Sequence, residues 1–196
     1  MGKLISIVGA SGVGKTAFVQ ALAKSGRFLI AYEQHAERPF QTRFKQDKSF
    51  ALANQIDYLL LRAEQEKELR ASSQIGLTDG GLDLDFHGFT RLFLSRKLLN
   101  QNEFDLCRRL YTLIRAALPS PELIVRLNAD VETVAARMST RDRVNIASAE
   151  DTAIFNSYLD EWLANISSNQ VLTIDVSTET MDYAKSTRLV LEHINQ

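Results

Sequence analysis

The 196-residue sequence has little of what several classes of protein require. It contains one cysteine, Cys107, so an internal disulfide is excluded, and its three histidines are too scattered to complete a cysteine–histidine metal centre. Three prolines and nine glycines are too few for a collagen-like or low-complexity chain. A single cysteine suits a reducing compartment, and we expect a cytoplasmic protein.

Neither sign of charge dominates, and no long apolar run is present. Lys and Arg total 23 against 24 for Asp and Glu, which leaves no basic field for polymeric nucleic acid or an anionic membrane. The apolar run Leu4 to Val8 is far shorter than the ~20 residues that a membrane helix needs. With 45% hydrophobic residues we expect one soluble globular domain over 1–196, given a usual size of ~100–200 residues.

Apolar runs typical of strands alternate with segments of helical spacing. Strands are predicted at 4–8, 28–32, 73–78, 122–127 and 171–174, and helices at 16–23, 48–70, 85–97, 103–117, 131–138, 148–164 and 179–193. The segment around Pro39 is predicted as a polar loop. Strands that alternate with helices indicate a three-layer α/β fold, in which helices cover both faces of a parallel sheet of about five strands.

A complete G-x-x-x-x-G-K-[ST] pattern lies between the first predicted strand and the first predicted helix. Its residues are Gly9, Ala10, Ser11, Gly12, Val13, Gly14, Lys15 and Thr16. Such a loop directs successive N–H groups at a phosphate, while the lysine reaches the β- and γ-phosphates and the hydroxyl can bind Mg²⁺. A chance glycine-rich turn is the alternative, but the strand–loop–helix context favours a phosphate-binding loop.

Three further features of the sequence each have a catalytic or ligand-binding interpretation and a purely structural one. Glu33 follows the second strand, where it could accept a proton from an attacking hydroxyl or be a solvated loop residue. Arg137, Arg141 and Arg143 could close over a phosphoryl group as a lid, or complement a helix C-terminus. Asp79 could hold Mg²⁺, while the glycines after it could serve a tight turn.

Taken together, these residues resemble the deoxynucleoside kinases, over nearly the whole chain. Glu33 resembles the general base of that family, and Arg137, Arg141 and Arg143 resemble its lid arginines, which places a lid at about 137–147. The segment from Arg38-Pro39-Phe40 through Phe44 to Gln55 resembles the family's Asn-Pro-Phe/Tyr segment and aromatic run. The resemblance implies ATP and Mg²⁺ as cofactors and a nucleoside as the acceptor.

The resemblance also implies which residues contact the ligands. Gln55, Arg62 and Asp85 fall at the spacings of the base-reading residues, and Phe44 lies where some members have a tyrosine. Gln55 and Arg62 are two helical turns apart and so share a face of the long helix, although plain amphipathic packing explains that face as well. The run from Val171 to Val176, with Asp175, resembles the strand and loop beside the adenine of ATP.

Two departures from the family's pattern stand out. Gly80 occupies the position of an arginine in the family's Asp/Glu-Arg-Ser sequence, so it marks either a lost positive charge or a turn that requires glycine. Val144-Asn145-Ile146 follows Arg143 in place of the lid's acidic cluster. Such losses of polar partners can change which acceptor is selected.

The sequence therefore predicts a kinase that transfers the γ-phosphoryl group of ATP to the 5′-hydroxyl of a nucleoside or deoxynucleoside. One alternative is a nucleoside-monophosphate or other small-molecule kinase, for which Arg38 and Arg43 are the nearby basic candidates. Another is an ATP-binding subunit with weak or no catalysis. A homodimer is expected by resemblance, and the apolar residues Phe89, Leu92, Phe93 and Leu110 form either its interface or part of the core.

Overall fold

The structure is a computed structural model that describes residues 2–31, 38–139, 149–180 and 182–195. Its strands are β1 (Leu4–Val8), β2 (Phe28–Ala31), β3 (Ile75–Asp79), β4 (Leu123–Asn128) and β5 (Val171–Asp175). They form one parallel sheet in the order β2-β3-β1-β4-β5. The central strand β1 pairs with β3 through Ile7 and Asp79, and with β4 through Ile7 and Val125. The parallel α/β sheet predicted from the sequence is confirmed.

The helices alternate with the strands. Their bounds are α1 (Lys15–Ala23), α2 (Pro39–Gln46), α3 (Ala51–Ala71), α4 (Leu82–Leu84), α5 (Arg91–Ser95), α6 (Gln101–Ala117), α7 (Val131–Ser139), α8 (Ala149–Leu163) and α9 (Ala184–Ile194). A π-helical turn, Asp85–Thr90, joins α4 to α5, and 3₁₀ turns precede α3 and β5. No helix of the described ranges is long and apolar enough to cross a membrane.

The core lies on both faces of the sheet, because side chains alternate along each strand. On one face, Ile7 and Val125 pack with Phe18 of α1 and Val190 of α9. On the other, Ile124 packs with residues of α8 that include Phe155 and Leu159. A third cluster joins α3, α5 and α6 around Leu59, Phe93 and Cys107. These layers leave the C-terminal edge of the sheet free for the loops that follow β1, β3 and β4.

Three local predictions need correction. Residues 39–46 form a helix rather than a polar loop, because proline is well suited to the first helical turn, where its missing N–H is no loss. The predicted helix at 85–97 is split by the π turn. The last helix begins at Ala184 rather than Glu179, because Tyr183 adopts a left-handed conformation with φ +48°.

The apolar residues that were candidates for a dimer interface belong to the core of this chain. Leu92 and Phe93 are each 2% exposed. Phe89 packs on Phe155 of α8, and Leu110 packs in the third cluster. Core packing therefore accounts for Leu92 and Phe93, whereas Phe89 and Leu110 are half-buried and their part in an interface stays a prediction.

Candidate active site

The loop between β1 and α1 has the backbone geometry that phosphate binding requires. Gly9, Gly12 and Gly14 have φ values of +148°, +85° and +107°, which L side chains rarely adopt. A Cβ at Gly12 would lie 2.6 Å from Met138 of α7, and one at Gly14 would collide with the Tyr183 hydroxyl. The loop is thus packed tightly against α7 and the residue before α9, and glycine is needed there for space as well as for conformation.

Lys15 and Thr16, the first residues of α1, lie at the mouth of this loop. The Lys15 ammonium donates to the carbonyl oxygens of Gly9 and Ala10 at 2.9 and 3.0 Å. The Thr16 hydroxyl donates to Asp79 Oδ2 at 2.6 Å. A lysine held over a loop of N–H groups at a helix N-terminus forms an anion site for the phosphates of a nucleotide.

The pair Thr16–Asp79 fits a magnesium site. Asp79 ends β3, is 2% exposed, and its Oδ1 makes no hydrogen bond within the described residues. A buried carboxylate oxygen without a donor is costly unless a cation or water meets it. Hydroxyl and carboxylate oxygens suit Mg²⁺, which keeps several waters and phosphate oxygens as its other ligands. Accordingly, the described residues contain no group of three or more His, Cys, Asp or Glu that could hold a metal by itself.

Arg137, predicted as a lid arginine, joins two loops of the site. Its Nη1 donates to the carbonyl of Val13 at 2.7 Å, and its Nη2 donates to the carbonyl of Val176 at 3.0 Å. The guanidinium therefore links the phosphate loop to the segment after β5. The other predicted lid arginines, Arg141 and Arg143, lie outside the described residues, as does Glu33.

Asp175 ends β5 in a turn with Ser177. Its Oδ1 accepts hydrogen bonds from the Ser177 amide at 2.8 Å and the Ser177 hydroxyl at 2.6 Å, which lower the pKa of the carboxyl. The Ser177 hydroxyl in turn accepts from the Asp130 amide at 2.9 Å, just before α7. Asp175 thus fixes the turn after β5, whose Val176 carbonyl accepts from Arg137. The contact of Asp175 with ATP stays a prediction.

The predicted base-reading residues come together behind the C-terminal end of β3. Arg62 of α3 donates from Nε to Asp85 Oδ2 at 2.7 Å and from Nη1 to Gln65 at 3.2 Å. Gln55 lies two helical turns before Arg62 on α3, and its Oε1 is 3.0 Å from the Thr90 hydroxyl. The side chains of Arg62 and Asp85 are 5% and 8% exposed, so the ion pair is strongly constrained. Thr90 also donates to the Asp85 carbonyl, which connects Gln55 to the ion pair, and the predicted contact of the three residues with a base stays a prediction.

The Arg62 guanidinium lies beside the position of Gly80, the residue that follows Asp79. Gly80 follows Asp79 with φ +87°, and a Cβ built on it would lie 3.5 Å from Arg62 Nη2. A positive φ favours glycine by itself. The turn geometry therefore accounts for Gly80, and the guanidinium next to this position is that of Arg62.

Phe44, predicted to face the substrate, is 5% exposed. Its ring stacks on Phe93 with centroids 5.0 Å apart, and the Lys48 ammonium lies 4.1 Å from its centroid. The contact anchors α2 on α5. Whether an edge of the ring also meets the substrate stays a prediction.

A buried ionic network supports the segment that carries Asp85. Arg115 of α6 donates to Asp83 at 2.9 Å and binds both carboxylate oxygens of Glu66 at 2.9 and 2.7 Å. Tyr111 donates to Asp83 at 2.8 Å, and Arg70 donates to Glu66 at 3.0 Å. Sequence reasoning missed this network, because its members lie on α3, α4 and α6 and no motif joins them.

Burial sets the pKa values around this network. Burial raises the pKa of Asp83, which Arg115 and the Tyr111 hydroxyl partly oppose. Burial lowers the pKa of His87 to about 4, with Arg91 and Arg115 adding to the effect. The His87 ring stacks on Trp162 at 5.0 Å, and its Nε2 lies 3.1 Å from the Tyr111 hydroxyl. With this pKa His87 is neutral at pH 7, and its ring packs against Trp162 and Tyr111.

A cavity of about 570 Å³ lies next to the phosphate loop. Ala10 and Val13 of the loop form one wall, and α7, α8 and the end of β4 form the others. An ion pair between Arg126 and Asp160 lies in its lining. Met138, near the start of the predicted lid segment, is among its lining residues.

The parallel α/β fold and the phosphate loop together define a P-loop enzyme. The chain matches the deoxynucleoside kinase family over residues 5–196. It therefore belongs to the deoxynucleoside kinase family. It is a kinase, and nucleoside phosphorylation is the activity of its family.

Among named proteins, the chain is similar to deoxyguanosine kinase of Bacillus subtilis (strain 168), with 23% identity over 163 residues, which is 82% of this chain and 75% of that protein. It is also similar to the deoxyadenosine/deoxycytidine kinase of the same organism, with 22% identity over 143 residues, or 71% of this chain and 66% of that protein.

Solved structures of deoxyadenosine kinase from M. mycoides share the fold. The structure with bound dCTP has a TM-score of 0.79 at 20% identity and covers 98% of both chains. The structure with bound dATP has a TM-score of 0.78 at 21% identity and covers 98% of this chain and all (100%) of the other. At these identities the likeness establishes the fold, and the family rests on the sequence match.

Proposed function

We propose that this protein transfers the γ-phosphoryl group of ATP to the 5′-hydroxyl of a nucleoside, with a deoxynucleoside as the favoured acceptor. The observation that carries the proposal is the proximity of two sites: Thr16 and Asp79 of the phosphate site lie next to Gly80, and a Cβ built on Gly80 would lie 3.5 Å from Arg62 Nη2 of the proposed acceptor cluster, which consists of Gln55, Arg62 and Asp85. Two sites that share the end of one strand can hold a phosphoryl donor and its acceptor close to each other.

Each residue has a defined role in this proposal. The loop amides and Lys15 hold the phosphates, while Thr16 and Asp79 hold Mg²⁺, which would neutralise charge on the phosphate oxygens. Glu33 takes the proton of the 5′-hydroxyl as its oxygen bonds to the γ-phosphorus and the bond to the β-phosphate oxygen breaks. Arg137, Arg141 and Arg143 stabilise the charge that develops on the transferring group.

Gln55, Arg62 and Asp85 bind the base in this proposal. A carboxamide offers both a donor and an acceptor, and the ion-paired Arg62 and Asp85 present a fixed arrangement of polar atoms. Because these side chains are buried, hydrogen bonds that they make to a base would be formed largely out of water, where such bonds are stronger. Phe44 stays a proposed neighbour of the substrate.

A nucleoside-monophosphate acceptor is less well supported. It would need free cations near the acceptor, and Arg38 and Arg43 are the candidates. Arg38 donates from Nη2 to Asp57 at 2.6 Å, and this ion pair offsets its charge. Arg43 lies 5.5 Å from the ring centroid of Phe50. The described residues thus leave Arg43 as the one of these two that a second phosphate could recruit.

A screen for binding and turnover separates the three functions. The melting temperature is measured with each nucleoside and each nucleoside monophosphate, with and without ATP, because a ligand stabilises by RT ln(1 + [L]/Kd). We expect a nucleoside to raise the melting temperature and to be phosphorylated. Turnover of monophosphates alone would favour the second function, and ATP binding without turnover of any nucleoside would favour a non-catalytic subunit.

Glu33→Gln tests the proposed base, because glutamine keeps the shape and cannot take the proton. We expect turnover to fall by roughly 10²–10⁴-fold with little change in ATP affinity. Full turnover with weaker ATP binding would assign Glu33 to structure or to the metal instead.

A homodimer is proposed on the family resemblance. The described helices α3 and α6 carry outward-facing leucines, with Leu60 at 44%, Leu106 at 43% and Leu113 at 71% exposure, which a second copy could cover. Light scattering of the wild type and of Leu113→Lys tests this: a dimer that the substitution dissociates supports the proposal, and a monomeric wild type contradicts it.

A further inference from the structure

We propose that Thr90 is a positioning residue that fixes the orientation of the Gln55 carboxamide, so that the acceptor site selects adenine and cytosine, which carry an amino group at the 6- or 4-position, over bases with a carbonyl oxygen there. The inference rests on the proposed function, since it concerns the base-reading cluster of that same site. It adds a residue that the sequence patterns did not indicate.

The Thr90 hydroxyl lies between two acceptors in a fully buried position. Thr90 is 0% exposed, and its Oγ1 is 3.0 Å from Gln55 Oε1 and 3.0 Å from the main-chain carbonyl oxygen of Asp85. Gln55 itself is 3% exposed. Neither group can turn to bulk water, so the hydrogen bonds among these three residues decide how the Gln55 side chain is oriented.

The π turn brings these groups together. Over Asp85–Thr90 the chain makes one wide turn, so the Thr90 hydroxyl reaches the carbonyl five residues earlier. The Asp85 carboxylate meanwhile holds Arg62. One residue, Asp85, thus connects Thr90 and Gln55 to the ion pair of the acceptor cluster.

The Thr90 hydroxyl has a single proton, so it can donate one full hydrogen bond, either to Gln55 or to the Asp85 carbonyl. With Gln55 Oε1 turned towards Thr90, that proton is shared between two acceptors, because the Asp85 carbonyl can only accept. The oxygen and nitrogen of a carboxamide are nearly equal in shape, so the same 3.0 Å contact is made when the carboxamide is turned over. Thr90 then donates to the Asp85 carbonyl and accepts from Gln55 Nε2, and both hydrogen bonds are complete.

The turned-over carboxamide leaves Oε1 for the ligand. Within the described ranges, the hydrogen bond to Thr90 is the only one that the Gln55 carboxamide makes, so its other branch is left for a ligand. An oxygen there accepts from the amino group of adenine or cytosine. Guanine, hypoxanthine, uracil and thymine present a carbonyl oxygen at the corresponding edge, and two acceptors facing each other are unfavourable.

Two pairs of nucleosides isolate this edge. Deoxyadenosine and deoxyinosine differ at the 6-amino or 6-oxo edge, and deoxycytidine and deoxyuridine differ at the 4-amino or 4-oxo edge. We expect the wild type to have a kcat/KM at least about tenfold higher for the amino member of whichever pair it accepts. In Thr90→Val, which keeps the shape and removes the hydroxyl, that ratio falls to within about threefold, because neither orientation is then fixed.

Two further variants show whether the hydroxyl itself is responsible. Thr90→Ser keeps the hydroxyl and is expected to keep the ratio. Thr187→Val on α9 removes a threonine hydroxyl that is buried and makes no hydrogen bond in the described part of the chain, and it is expected to leave the ratio unchanged. Melting temperatures with and without nucleoside are measured on all four proteins, so that a loss of folding is seen separately.

Each outcome decides the inference. A wild-type preference for the oxo members, an unchanged ratio in Thr90→Val, or an equal loss for both members of a pair overturns it, and in these cases the proposed function stands. If no nucleoside is phosphorylated and none raises the melting temperature of the wild type, the proposed function itself fails. A ratio that collapses in Thr90→Val and is restored in Thr90→Ser supports Thr90 as the residue that sets base selection.

Discussion

The phosphate loop is formed by eight consecutive residues and acts mainly through its backbone, whereas the acceptor cluster is formed by side chains from two separate segments. In the loop, the φ values of Gly9, Gly12 and Gly14 and the N-terminus of α1 provide the site. In the cluster, Arg62 and Gln55 of α3 meet Asp85 and Thr90 of the segment after β3. The first site depends on local conformation, and the second depends on packing between distant parts of the chain.

This difference has a consequence for mutation. Most contacts of the phosphate loop come from main-chain groups, which a substitution does not remove, so a few side chains there carry the chemistry. The acceptor cluster contains buried charges that need partners, so the loss of one side chain leaves another unpaired. We therefore expect substitutions in the loop to change turnover, and substitutions behind the cluster to change stability as well.

The largest effect is expected for Lys15→Ala. The loop keeps its backbone, but the charge that meets the transferring phosphate is lost, and turnover falls by about 10³-fold or more with a small change in melting temperature. Lys24→Ala, at the exposed C-terminal end of α1, is the matched control and should retain activity. If Lys15→Ala keeps turnover within twofold of the wild type, the assignment of residues 9–16 as the phosphate-binding loop is contradicted.

Arg115→Met tests the support of the acceptor cluster. It leaves Glu66 and Asp83, 2% and 4% exposed, without their shared partner. Loss of one member of a buried pair costs about 3–5 kcal/mol, which lowers the melting temperature of a chain of this size by roughly 10 °C. Thermal unfolding measures this, with Arg188→Met as control, because the Arg188–Glu192 pair is 76% and 62% exposed and contributes little. Equal melting temperatures for the two variants would contradict the prediction.

The pH dependence of the free energy of unfolding tests the burial of His87, which lies beside Tyr111 of the buried ionic network. Burial lowers its pKa to about 4 in the folded protein, from a usual value near 6.5, so the unfolded chain binds the proton more readily. The contribution of His87 to the free energy of unfolding is therefore fully present above pH 6.5. It is lost as the pH falls from 6.5 towards 4, by about 3 kcal/mol at most.

Urea unfolding across this range compares the wild type with His87→Gln, which should lose that part of the pH dependence. His193→Gln on α9 is the control and should keep it. An unchanged slope between pH 6.5 and 4 in His87→Gln would show that other groups account for the loss.

The smallest effect is expected for Gly80→Ala, at the boundary between the two sites. Its φ of +87° makes any side chain unfavourable by about 1–2 kcal/mol. Gly26→Ala is a matched control, because Gly26 has φ +70° and nothing within 4 Å of a built Cβ, so it reports backbone strain alone. We expect similar losses of stability for the two, measured by chemical unfolding.

Gly80→Arg tests whether a positive charge at this position changes turnover as well as stability. It adds a guanidinium next to that of Arg62, so we expect slower turnover as well as lower stability. Faster turnover in Gly80→Arg would instead support the hypothesis that Gly80 marks a lost positive charge.

The sequence by itself determined the parallel α/β fold and the phosphate loop, because both are written in local patterns. Alternating apolar runs and helical spacing predicted the strands β1 to β5, and consecutive glycines predicted the loop geometry. Spacing on one helix also predicted that Gln55 and Arg62 share a face. Such patterns involve residues near each other in the chain, so no packing information is needed to see them.

Only the tertiary structure decided the contacts of the proposed acceptor cluster. It placed Thr90 between Gln55 and Asp85, and it brought Arg115 to Asp83 and Glu66. It also buried Leu92 and Phe93, which the sequence offered equally as surface or core. These contacts join helices that are far apart in the chain, and each is fixed by how the helices pack on the sheet rather than by any local sequence signal.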